Sequence, residues 1–334
     1  MLMAALTDGA PLPQGFSDDK KFFTDAWSTS ILWTTAIREV LCHEQSAFQE
    51  VVVVDTVELG RMLVLDGNLQ CAEKDEAAYH ELIVHPALCR RAARPQNLRV
   101  LIIGGGDGGA AREALRHPGV VHVDLVDIDA KVMEVSKTYL HQVWRKPDGS
   151  GPLDDDARLT LRAEDGVAFL EDIAERNVDD EKYDLVVVDA SDPVGPGTVL
   201  YSDRFYGAIA KCLRDDGAVT VQSGSWFYLP EVLQTVFHGL GRHFANVRAY
   251  ECFSAIYPGG IWNLCMATKD DADMREVDHA RVDALQQVGE GCAWYDAGIH
   301  AAAFALPPNA KKVLQQAPPS LEELSNAVQG MMDR

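Results

Sequence analysis

The stretch Val100-Leu101-Ile102-Ile103-Gly104-Gly105-Gly106-Asp107-Gly108-Gly109 decides the fold. A short apolar run gives a buried strand, a glycine cluster gives a loop, and Ala110–Arg116 then has the composition of a helix closed by Pro118-Gly119. Gly104 to Gly109 fits G-x-G-x-x-G, whose glycines make a tight turn and let the backbone approach a ligand closely. Beyond the loop, Val121–Asp127 reads as the next strand and ends on Asp127. A carboxylate about twenty residues after such a loop can accept hydrogen bonds from both hydroxyls of a ribose. The plainer alternative is a tight strand-to-helix turn, with Asp127 capping the following helix.

Asp107 narrows the ligand. A loop that cradles pyrophosphate offers backbone N–H groups with no anion among them, so a carboxylate there repels phosphate. It also repels the carboxylate tail of ordinary S-adenosylmethionine and attracts a tail ending in an ammonium. Opposite charges about 4 Å apart gain roughly 4 kcal/mol at an effective dielectric near 20.

Working outward, further strands are expected at Leu159–Arg162, Leu185–Val188 and Ala218–Gln222, with helices near Ala130–Leu140, Gly166–Ala174 and Asp203–Leu213. This alternation predicts an α/β chain with a Rossmann-like, doubly wound parallel sheet, helices on both faces and ligands beyond the strand C-termini. Upstream, from about Ala36 to Ala72, valine-rich Glu50–Val54, then Arg61–Leu65, the Asp66-Gly67 turn and Asn68–Cys71 read as a small antiparallel β-domain. From Asp75, the residues Tyr79, Leu82 and Ile83 recur at helical spacing and are expected to pack one face, before the connector Arg90–Gln96. The expected organisation is a flexible leader over 1–20, a β-domain with its connecting helix over 21–85, a catalytic domain over 86–307, and a tail or amphipathic helix over 308–334.

Composition excludes several classes. The 334 residues, 47% hydrophobic and 24% charged, are those of an ordinary globular protein. A formal net charge of −21 argues against nucleic acid and favours a polycation, although acidic charge also simply keeps a protein soluble. The seven cysteines are dispersed, without a C-x-x-C pair, and suit neither a disulfide framework nor a zinc site. His43, His85, His238 and His243 have no metal-like spacing, so no metal is expected. No segment resembles a signal peptide or approaches the roughly twenty apolar residues of a membrane span. Cytoplasm is the expected location.

A second acidic cluster closes a strand: Val186-Val187-Val188-Asp189-Ala190-Ser191-Asp192-Pro193-Val194-Gly195-Pro196. Asp189 and Asp192, on a loop held by prolines, can both face the cleft that Asp107 lines. Crowded like charges are costly unless a cation neutralises them. The other reading has them capping a helix or pairing with lysines. Asp165-Gly166 suits an adenine-side contact or an ordinary turn equally.

These motifs resemble the spermidine synthase family, and the resemblance runs from about Phe23 to Pro307. Its landmarks are Phe48-Gln49, Leu65-Asp66-Gly67 with Gln70, Asp75-Glu76-x-x-Tyr79-His80-Glu81, the glycine loop, Val126-Asp127-Ile128-Asp129, Asp165-Gly166, Asp189-x-Ser191-Asp192-Pro193-x-Gly195-Pro196, Tyr257-Pro258 with Gly260, and Tyr295 with His300–Pro307. The resemblance implies an N-terminal β-domain on a Rossmann-like domain of the S-adenosylmethionine-methyltransferase type. It also implies decarboxylated S-adenosylmethionine as co-substrate, no permanently bound cofactor, putrescine as acceptor, methylthioadenosine as co-product and a homodimer or homotetramer. By the same resemblance Asp189 accepts the proton and Tyr79 orients the attacking nitrogen. His80, Asp107 and Asp192 hold the amines, with Gln70 and Tyr257 beside them. Gln49, Gly104, Gly106, Asp127, Asp165, Gly166 and Pro196 hold the nucleoside.

Three positions depart from the family's habit. Phe22 stands where many members have tryptophan, Gly224 where they have an acid, and Ser254-Ala255-Ile256 where they have Ile-Pro-Thr. Agmatine, cadaverine, diaminopropane or a longer polyamine therefore compete with putrescine as acceptor. A putrescine N-methyltransferase and a non-catalytic polyamine-binding regulator are the rival functions; Asp107 argues against the first, and the retention of Asp189 and Tyr79 against the second.

Overall fold

A computed structural model describes residues 14–17, 21–28 and 31–332, so most of the expected leader lies outside the described residues. The N-terminal sheet contains β1 (Phe22–Ser28), β2 (Ile31–Gln45), β3 (Glu50–Thr56), β4 (Arg61–Leu65) and β5 (Asn68–Ala72), in chain order and antiparallel throughout. The sheet thus begins well before Ala36. The long strand β2 is hard to read from sequence because its register against β3 shifts between Ile37 and Glu39 and again between Val40 and Cys42. Such bulges break the two-residue alternation that marks a strand.

The valine run of β3 is apolar throughout because both faces of this sheet are covered. Val52 and Val54 pack with Phe23, Ile37, Met62 and Ile256, while Val51 and Val53 pack with Leu63, Cys71, Val132 and Val135.

Helix α1 (Glu76–Cys89) connects this sheet to the larger one, so the expected boundary at 85/86 falls inside it. Its burial corrects the one-faced reading: nearly every residue is buried, on all sides. Pro86 has no N–H for the Leu82 carbonyl four residues back. That carbonyl instead accepts from the Tyr250 hydroxyl at 2.9 Å, and the Ile83 carbonyl accepts from the Thr220 hydroxyl at 2.7 Å. The proline thereby fastens α1 to the large sheet.

The large sheet contains β6 (Leu98–Gly104), β7 (Val120–Asp127), β8 (Leu159–Ala163), β9 (Tyr183–Asp189), β10 (Leu213–Gln222), β11 (Asn246–Phe253) and β12 (Ile261–Thr268) in the order β11-β12-β10-β9-β6-β7-β8. Between its strands lie α2 (Gly109–Leu115), α3 (Ala130–Tyr139), α4 (Gly166–Arg176), α5 (Asp203–Cys212) and α6 (Pro230–Leu240). The expectation of a parallel sheet needs correcting at one edge, because β12 runs antiparallel to both β10 and β11. From β6 the chain winds outward through β7 to β8, then returns to lay β9 on the other side of β6. The strand order therefore reverses between β6 and β9, which is where a doubly wound sheet opens a ligand crevice.

After α7 (His279–Leu285), α8 (Ala297–Ala303) and α9 (Pro308–Val313), the chain forms α10 (Leu321–Met332), whose Leu324 and Val328 are buried in the main core near α6. Among the described residues no helix is long and apolar enough to cross a membrane.

Candidate active site

Sheet register puts the two chemical motifs side by side. Gly104 at the end of β6 pairs with Asp189 at the end of β9, and the Gly105 N–H donates to the Asp189 carbonyl at 2.8 Å. Gly104 has φ +80°, and a Cβ there would lie 2.1 Å from that carbonyl, so this close approach requires glycine.

The Asp189 side chain extends into the crevice, where the Tyr79 hydroxyl from α1 donates to Oδ1 at 2.6 Å. Oδ2 is buried without a partner among the described residues. Burial, then the charge of Asp107, raises the Asp189 carboxyl to about 6. Burial also raises Asp192 to about 6. The Gln222 amide approaches Asp192 Oδ1 at 3.5 Å and also donates to the Ala190 carbonyl at 3.0 Å. Among the described residues neither aspartate caps a helix or has a lysine ion pair recorded, and Ser202 caps α5.

Asp107 and His80 form a second acidic corner. Asp107 Oδ1 accepts from the Gly109 N–H at 2.7 Å and lies 3.4 Å from His80 Nε2. His80 Nδ1 is 2.6 Å from Glu76 Oε2, which also takes a 2.7 Å bond from Arg112 Nη2. Burial alone would discharge the imidazole, but the carboxylates of Asp107 and Glu76 on either side hold it protonated well above its ordinary range. Burial likewise works to raise Asp107, and the His80 imidazolium and Gly109 N–H overcome it to hold the carboxyl below the usual range. Sequence reasoning placed Glu76 in a motif without giving it a role, and missed Arg112 and Glu113. Glu113 joins the network by binding Arg112 Nε at 2.6 Å and Arg116 Nε at 2.7 Å. The four-residue spacing of Glu76 and His80 on one helix was the available signal.

Across the glycine loop, Asp127 Oδ2 accepts from the Gly106 N–H at 3.0 Å and Oδ1 from the Asp129 N–H at 2.8 Å. It is Asp129, not Asp127, that caps α3. Burial raises the Asp127 carboxyl to about 6. From the turn before β3, Gln49 reaches Asp129 Oδ2 at 3.0 Å. Asp165 is engaged locally: its Oδ1 caps α4 through the N–H groups of Val167 at 2.8 Å and Ala168 at 3.3 Å, with Gly166 opening the helix. Pro196 lies in the short 3-10 segment Gly195–Tyr201 after Asp192.

On the opposite wall, the Tyr257 hydroxyl donates to the Gln70 carbonyl at 3.3 Å, and its ring lies 4.3 Å from that of Trp262. Gln70, Tyr79, His80 and Tyr257 line one small cavity together with Asp75, Glu76 and Ser254. A larger surface groove near Phe237 and Arg248 lies away from these residues and carries no such chemistry.

A crevice lined with carboxylates at the switch point, beside a glycine loop and the strand-end Asp127, is the site arrangement of a Rossmann-like enzyme. Residues 76–279 match the spermine/spermidine synthase domain and residues 22–73 the spermidine synthase tetramerisation domain. The chain is 38% identical over 286 residues to the polyamine aminopropyltransferase of Bacillus mycoides (strain KBAB4), covering 86% of this chain and 96% of that one. It is 35% identical over 294 residues to that of Caldicellulosiruptor bescii, covering 88% and 98%. A spermidine synthase crystallised with the transition-state analogue AdoDATO superposes with a TM-score of 0.79 at 27% identity, over 93% of this chain and 99% of that one. The spermidine synthase of Thermotoga maritima gives 0.77 at 25% identity over the same shares. The chain belongs to the spermine/spermidine synthase family and is a polyamine aminopropyltransferase.

Proposed function

We propose that the protein is a spermidine synthase, transferring the aminopropyl group of decarboxylated S-adenosylmethionine to putrescine. The observation that carries this reading is the Tyr79–Asp189 pair at the switch point, with Asp189 Oδ2 free. A putrescine nitrogen attacks the carbon beside the sulfonium. The arriving ammonium first gives a proton to Asp189; the C–N bond then forms as the C–S bond breaks, and the sulfur takes the bonding pair and leaves as methylthioadenosine.

A free alkylammonium has a pKa of about 10.4, so the amine arrives protonated and proximity contributes more than base strength. Tyr79 holds one oxygen of Asp189, leaving the other to face the nitrogen. Donor and acceptor are both cations, and the carboxylates of Asp107, Asp189 and Asp192 offset their mutual repulsion. Asp127 and Gln49 take the ribose side, Asp165-Gly166 and Pro196 the base side. Asp107 meets the donor's ammonium tail, with the His80 imidazolium 3.4 Å from its Oδ1, while Asp192, Tyr257 and Gln70 meet the amine. The match to a tetramerisation domain supports a homotetramer.

Methylthioadenosine release from purified protein, with decarboxylated S-adenosylmethionine and a panel of diamines and polyamines, tests the reading. Fastest release with putrescine is expected. Preference for another amine reassigns the acceptor, and turnover only with ordinary S-adenosylmethionine overturns the donor.

A further inference from the structure

We propose that Asp75 is a binding residue of the amine pocket, its free oxygen Oδ1 receiving an ammonium of the acceptor. The choice of acceptor rests on the aminopropyl-transfer reading above. The geometry of Asp75 does not.

Asp75 immediately precedes α1 and is only 9% exposed, yet it lines the cavity shared by Tyr79, His80 and Tyr257. Its two oxygens are used unequally. Oδ2 accepts from the backbone N–H groups of Ala255 at 2.8 Å and Ile256 at 3.2 Å, with the Ser254 hydroxyl at 3.4 Å. Oδ1 is buried and has no partner among the described residues. A buried carboxylate oxygen without a donor is costly, and a primary ammonium entering the cavity supplies one. No cationic side chain among the described residues does so. The His80 imidazolium is spent on Glu76 and Asp107, and Arg112 on Glu76 and Glu113.

The Oδ2 contacts set the direction of Oδ1. Ser254 and Ala255 occupy positions where the family's habit is isoleucine and proline. A proline at 255 has no N–H and an isoleucine at 254 has no hydroxyl, so neither could hold Oδ2. Here these two donors and the Ile256 N–H engage Oδ2 and leave Oδ1 without a partner among the described residues. The Tyr257 phenol marks the convergence: burial first, then the charges of Asp192, Asp189 and Asp75, push it well above its ordinary range. Tyr257 and Asp75 line the same cavity. With one nitrogen of a diamine at Asp189, the far nitrogen falls to Asp192 and Asp75.

Calorimetric titration of putrescine into the methylthioadenosine-saturated chain tests this without requiring turnover. Asp75→Asn keeps an acceptor for the wall N–H groups and removes the charge. It is expected to weaken putrescine at least about tenfold while methylthioadenosine affinity stays within about twofold. Putrescine binding within twofold of wild type overturns the proposal. Ala255→Pro removes a wall donor and keeps both carboxylate oxygens, and a smaller loss is expected. A loss as large as that of D75N would mean that Asp75 acts only through the wall, and would also overturn it. A crystal structure of the wild-type complex is independent of variant folding: a putrescine nitrogen within about 3.2 Å of Oδ1 supports the proposal, and none within about 4 Å defeats it. Methylthioadenosine release with the same amine is scored separately. Binding without release overturns the transfer reading and leaves the Asp75 result standing.

Discussion

At the scale of single residues, Asp189 carries the sharpest consequences. Asp189→Asn is expected to lower turnover at least about a hundredfold while donor affinity changes less than about threefold, read by single-turnover kinetics and donor titration. Equal turnover would remove the proton-acceptor role. Tyr79→Phe deletes the 2.6 Å bond to Oδ1 and is expected to slow transfer about tenfold at unchanged donor affinity. The pH dependence follows from the same site. Asp189 and Asp192 each titrate near 6, and both must be ionised to meet a cation. Amine binding therefore favours the deprotonated carboxylates, so putrescine affinity should fall as pH drops from 7 toward 5. Asp192→Asn should flatten that fall. A putrescine Kd constant over this range would exclude ionisation of either group on binding.

At the scale of elements, the contact between α1 and the large sheet is the most exposed to a single change. Tyr250→Phe leaves the Leu82 carbonyl, already denied its helical donor by Pro86, buried and unsatisfied. A loss of about 1–3 kcal/mol is expected by chemical denaturation. How much could be read in advance varies by element for physical reasons. The strand, loop and helix around Gly104 were legible because glycine pattern, apolar run and helix composition agree over one short window. Asp189 and Asp192 were legible as crowded like charges at a strand end. Strand β2 was not, because its bulges hide the alternation. The antiparallel edge was not, because Trp262–Ala267 of β12 are all buried and such a run reads alike in either direction. Asp75 stood in a recognised motif, yet the role proposed for it depends on the loop at Ser254–Ile256, far away in the chain.

At the scale of the whole molecule, the two sheets are expected to unfold together. Ile256 is carried by the large domain but buried 2% exposed in the core of the small one, beside Phe23 and Met62. Ile256→Ala should cost about 2–5 kcal/mol and keep a single transition in calorimetry; two separated transitions would show that the domains hold independently. The net charge of −21 acts over the whole surface. Putrescine affinity should fall as salt rises, mostly through slower association, which stopped-flow measurements at two ionic strengths can check.

The backbone pairing of Gly104 with Asp189 has one more implication, for how such an enzyme can diversify. Asp189, the proposed proton acceptor, and the glycine loop proposed to meet the nucleoside lie on paired strands of one sheet, so their spacing is inherited from the fold and does not depend on which side chains line the proposed amine site. The acceptor walls at Gly224 and Ser254–Tyr257 hang on loops outside those rungs. Amine selectivity can then be exchanged loop by loop while the transfer geometry stays the same.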